Sequence, residues 1–161
     1  MLTPSLISRR NATLVIATAI AVVSQHSKRA VAQSASVGQI EVIEPYVRAM
    51  PSAAKVGAGY VIFRNAGEQP DKLLAVETTV ASSVEIHSMT HDGGVMKMRQ
   101  VEGGLSLPPR STIELGPSGL HLMFMEPRAP FKVGETVKTT LVFEKAGSLE
   151  VTFAVKPMGA R

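Results

Sequence analysis

At 161 residues the chain is one domain's worth, and a hydrophobic content of 45% rules out wholesale disorder. These residues include no cysteine, which excludes disulfides, cysteine zinc sites, thiolate-held iron–sulfur clusters, thiol catalysis and a cysteine-linked lipid anchor. The net charge of +4 comes entirely from residues 1–32, where four basic side chains have no acidic counterpart; the remainder balances at 13 basic and 13 acidic residues, which removes the case for a nucleic-acid or anionic-membrane partner.

In chain order, the first element is a targeting segment. Arg9-Arg10 precede an apolar run over residues 12–23, and Ala30-Val31-Ala32 offers a small-x-small cleavage site. The run is about twelve residues long, short of the roughly 20 that cross a bilayer. Cleavage is therefore expected after Ala32, leaving a single domain, residues 33–161, outside the cytoplasm with no membrane span. Ser8-Arg9-Arg10 leaves both the general secretory and the twin-arginine route open.

Beyond Gln39, short runs rich in β-branched and aromatic residues alternate with Gly, Pro, Asn and Asp clusters. Strands are predicted over 40–43, 59–64, 72–77, 83–89, 95–101, 111–115, 120–125, 136–143 and 149–155. With no window of 3.6-residue period, this spacing predicts an all-β domain, a Greek-key barrel or sandwich. The last two strands form a hairpin through Ala146-Gly147-Ser148 that supplies Leu141, Phe143, Val151 and Phe153 to the scaffold. Tyr46, Tyr60 and Phe63 are assigned to the core, and Glu85 and Asp92 to solvated surface.

Successive side chains of a strand face opposite sides. Over 83–89, Val84 and Ile86 form one face and Glu85, His87 and Met89 the other. Over 120–125, Leu120, Leu122 and Phe124 form one face and His121, Met123 and Met125 the other. The apolar sets take the core, so both His-x-Met sets point outward, where a thioether gains little from burial. Between the two strands, Met96 and Met98 share a face. Five of the eight methionines and three of the four histidines, His91 included, lie between His87 and Met125. Thioether is a soft neutral donor and imidazole a borderline one, so this set serves zinc, calcium and magnesium poorly and suits Cu(I). A blue-copper site would need a cysteine thiolate and is excluded.

The segment from His87 through Met89, Met96, Met98 and Arg99, followed by Gly116-Pro-Ser-Gly-Leu-His121-Leu-Met123, resembles the periplasmic copper chaperones of the PCuAC type, whose signature is His-x10-Met-x21-His-x-Met. Ten residues separate His87 from Met98, as the signature asks, while 22 separate Met98 from His121, with the extra residue assigned to the loop between Gly103-Gly104 and Pro109. The flanking Gly59-Tyr60, Arg64-Asn65-Ala66-Gly67 and the stretch from Leu141 to Gly147 also look like the family. The resemblance implies a cupredoxin-like β-barrel binding one Cu(I) through His87, Met98, His121 and Met123. It further implies copper delivery to periplasmic or membrane acceptors, a cytochrome oxidase subunit and thioredoxin-like copper chaperones among them. No Ser/His/Asp arrangement or paired carboxylates form a catalytic set, so a carrier rather than an enzyme is expected. The competing reading is a β-sandwich interaction domain whose methionine patch binds a protein without metal.

Overall fold

The computed structural model describes residues 34–160; the predicted leader lies outside them. Eleven strands follow one another: β1 (Ser34–Val37), β2 (Ile40–Arg48), β3 (Val56–Asn65), β4 (Asp71–Glu77), β5 (Ser83–Asp92), β6 (Val95–Gln100), β7 (Leu105–Leu107), β8 (Ser111–Leu115), β9 (Leu120–Met125), β10 (Thr136–Phe143) and β11 (Ser148–Lys156). Among the described residues there is no helix, and none long and apolar enough to cross a membrane.

Two-residue alternation builds the frame. In β10 and β11, Val137, Leu141, Phe143, Val151, Phe153 and Val155 point inward, and the hairpin between them turns at Gly147, whose φ of 91° favours a residue without Cβ. The strands run β6-β5-β9-β3-β2-β11-β10-β4-β7, with β1 on β2 and β8 on β3. β2 lies between β3 and β11, the latter parallel to it, so connections cross the sheet as they do in a Greek key. The sheet curls round one apolar cluster that includes Phe63, Leu73, Leu122, Phe124, Leu141 and Phe153, but it does not close: β6 and β7 end the path. The architecture is thus an open β-sandwich, and β6 is an edge strand whose six residues are all exposed.

Strand β7 escapes a periodicity search because three residues show no pattern; its Leu105 and Leu107 are buried through pairing with β4. It replaces what the spacing argument treats as spare loop. Asp71, at the start of β4, is buried and accepts the amide hydrogens of Lys72, Lys145 and Ala146, tying β4 to the β10–β11 turn.

Two local features aim the site. Asp92 pairs with Val95 around Gly93 and Gly94, at φ 58° and 82°, a two-residue turn that requires positive φ at both positions. This turn sets the register of β5 on β6. In β2 the register shifts between Ile43 and Tyr46, with Glu44 at φ 50°. That bulge adds one residue and reverses the alternation. Ile40 and Val42 face the core before it, and Val47 does so after it, which turns Tyr46 and Arg48 to the opposite face.

Candidate metal centre

In an antiparallel pair, directly opposed residues share a face. Across β5 and β9, His87 opposes His121 and Glu85 opposes Met123; across β5 and β6, Met89 opposes Met98. Three adjacent strands thereby bring two imidazoles and three thioethers to one face. Met89, Met98, His121 and Met123 line a cleft of about 370 Å³, together with Arg48, Ala58, Tyr60 and Pro117. The His87 ring lies beside it, 6.0 Å from the ring of His121 between centroids. A larger neighbouring cleft, about 450 Å³ and lined by Glu44, Tyr46, Glu114 and Pro117, holds no sulfur or imidazole donor. The smaller cleft is the one whose chemistry suits a metal.

The two histidines are held by different ring nitrogens. Nδ1 of His121 lies 3.0 Å from the carbonyl oxygen of Gly119, which can only accept, so Nδ1 carries the hydrogen and Nε2 keeps its lone pair. The same carbonyl accepts the amide of Met89, so the turn over residues 116–119 holds β5 as well as His121. Nε2 of His87 lies 2.8 Å from Oε2 of Glu85. Its Nδ1 is buried and has no hydrogen-bond partner. An orphaned buried acceptor costs about 1–3 kcal/mol, a deficit that a bound cation would remove. Among the described residues no three His, Cys, Asp or Glu side chains cluster to hold a metal, so an ion here must draw on thioether sulfur. Neutral imidazole and thioether donors without thiolate fit a soft monovalent ion, Cu(I).

His121 is not the outward, exposed residue that the face pattern predicts. It is 5% exposed, because Arg48 and Tyr60, remote in sequence, wall the cleft it lines together with the adjacent Pro117. Tyr46 and Tyr60 are buried as expected, but outside the main apolar cluster, on the site face, with ring centroids 5.1 Å apart. Arg48 lies over Tyr60 and Lys156 over Tyr46. Burial pushes both phenols above their ordinary range, with Arg48 pulling the other way, so both stay neutral at neutral pH. Phe63 is in the core, as read. Glu85 is not a solvated charge; it is bonded to His87. The side chains of His91 and Asp92 lie outside the described ones.

Met89 is the donor that the signature spacing passes over, although its outward face is visible in the sequence. Met96 and Met98 are both exposed, at 57% and 49%, but only Met98 lines the cleft; Met96 opposes His91 two rungs nearer the turn. Met98→Leu keeps the volume and removes the sulfur. It should weaken Cu(I) binding at least about tenfold, the lower end of what losing an outer-shell partner costs. Met96→Leu should leave affinity near wild type. Competition against a colorimetric Cu(I) chelator measures both, and equal losses would place the third strand in another register.

Comparison with known proteins follows the same lines. The profile of the LpqE-like lipoprotein family matches residues 40–155. A protein of Leifsonia xyli subsp. xyli that carries a lipoprotein name is 28% identical over 117 residues, 73% of this chain and 69% of its own. The copper-bound PCuAC domain from PmoF2 is similar in structure, with a TM-score of 0.67 at 28% identity over 78% of this chain and 98% of that domain. So is Cu(I)-bound DR1885 from Deinococcus radiodurans, with a TM-score of 0.60 at 35% identity over 81% of this chain and 85% of that protein.

Proposed function

The chain belongs to the LpqE-like family, the family of the PCuAC domains, and on that premise we propose that it is a Cu(I)-binding metallochaperone. One Cu(I) is held by His87, Met98, His121 and Met123. The carrying observation is a cleft without thiolate, lined by three thioethers and His121, with the unpartnered Nδ1 of His87 buried beside it. The two copper-bound relatives support the reading. Neutral donors, of which Met98 stands on the exposed edge strand, let an acceptor replace them one at a time, and transfer runs downhill to thiolate-rich sites, which bind Cu(I) more strongly.

The lipoprotein-type relatives support export. In this reading the leader 1–32 is removed, the mature domain works in the periplasm, and the cargo goes to copper-accepting proteins there, the copper centre of cytochrome oxidase and thioredoxin-like chaperones among them. Native mass spectrometry of the exported protein tests it. Addition of Cu(I) under reducing conditions should raise the mass by one copper per chain. An unchanged mass would leave the methionine patch as a protein-docking surface and overturn the copper reading.

A further inference from the structure

We propose that Glu85 is a positioning residue for copper: it fixes His87 in the Nε2–H tautomer, so that His87 ligates through Nδ1 while His121 ligates through Nε2. The inference rests on the reading of His87 as a copper ligand and adds a residue to it. Glu85 and His87 stand two apart on one face of β5, and their side chains meet at 2.8 Å. An ionised carboxylate has no proton to give, so the hydrogen between them belongs to Nε2. That leaves the lone pair on Nδ1, the buried atom without a partner. On β9 the opposite choice is enforced, since the Gly119 carbonyl takes the Nδ1 hydrogen of His121. The two rings face each other across the β5–β9 rung in opposite tautomers.

Without Glu85, His87 could place its hydrogen on Nδ1 and remove its lone pair from the site. The carboxylate has a second effect. Neutral ligands leave a Cu(I) site at net +1, and a side chain only 29% exposed beside the ligand offsets that charge where water screens it least. Outer-shell carboxylates of this kind hold a ligating imidazole in orientation and raise its basicity.

The test compares the wild-type protein with Glu85→Ala and Glu85→Gln, the glutamine keeping an acceptor for the Nε2 hydrogen but not the charge. Imidazole nitrogen-15 shifts of the copper-free protein should show His87 protonated at Nε2 in wild type and Glu85→Gln, and a tautomer mixture in Glu85→Ala. Cu(I) affinity, by chelator competition, should fall about 10–100-fold in Glu85→Ala and recover in large part in Glu85→Gln. A wild-type His87 protonated at Nδ1 overturns the proposal, and that measurement needs no variant to fold. Unchanged tautomer and affinity in Glu85→Ala also overturn it while leaving the copper reading intact. A wild-type protein with the expected tautomer that takes up no Cu(I) overturns the copper reading itself, and the proposal with it.

Discussion

Replacing His121 and Met123 together by alanine is expected to abolish Cu(I) binding while the domain stays folded. Both side chains lie on the site face of β9, and each has a partner there: His121 faces His87, and Met123 lines the same cleft as Met89 and Met98. Their removal takes one imidazole and one thioether from the set at once. The remaining donors of the cleft are split between β5 and the exposed edge β6, and no other β9 residue that lines the cleft carries a sulfur or imidazole. The expected loss in affinity is at least about 100-fold, the upper end of what a single outer-shell substitution costs. A ligand that binds only the native state stabilises it by mass action, by about 2.7 kcal/mol at a free concentration of 100 Kd. Thermal melts with and without Cu(I) should therefore show a copper-dependent rise in wild type and none in the double variant. Wild-type Cu(I) affinity in a folded double variant would place the site elsewhere.

Phe124→Ala should do the reverse, lowering stability by about 3–5 kcal/mol while sparing the copper stoichiometry of the molecules that remain folded. Phe124 is fully buried on the core face of β9, its ring set edge-on to Phe131 and Phe153 at centroid distances of 5.6 and 6.3 Å. It reaches so close to the backbone of β3 that a Cβ on Gly59 would come within 2.7 Å of its ring. Truncation therefore opens a cavity bounded by backbone and aromatic rings, which cannot collapse cheaply. The loss is a large share of the roughly 5–15 kcal/mol that holds a domain folded. Urea unfolding followed by circular dichroism gives the difference, and Cu(I) titration at low denaturant gives the stoichiometry. A destabilisation below about 1 kcal/mol would contradict the packing described for this ring.

The contrast between these two variants follows from β9 having two faces with separate duties, and that much the sequence determined by itself. Leu122 and Phe124 alternate with His121 and Met123, and a strand with a two-residue period has only one way to bury the apolar set. The same holds for Ile86 against His87 on β5, and for the β10–β11 hairpin, whose inward residues are those the alternation selects. The turn at Gly93-Gly94 has an equally local cause, two residues without Cβ where both positions need positive φ. Which side a residue takes is a property of its neighbours in the chain.

What covers that side, and what stands opposite, is not. His121 is buried because Tyr60 and Arg48 arrive from β3 and β2, and Tyr46 and Arg48 reach the site face only because one extra residue in β2 reverses the alternation after Glu44. No local pattern announces such a bulge. Met96 and Met98 share a face, and the choice between them depends on how far along the hairpin the cleft beside β9 extends, a matter of three-strand register. The bond from Glu85 to His87 and the unpartnered Nδ1 behind it depend on rotamers fixed by packing. Period decides faces within a strand; register, cover and tautomer come from contacts between strands far apart in sequence, and only the tertiary structure sets them.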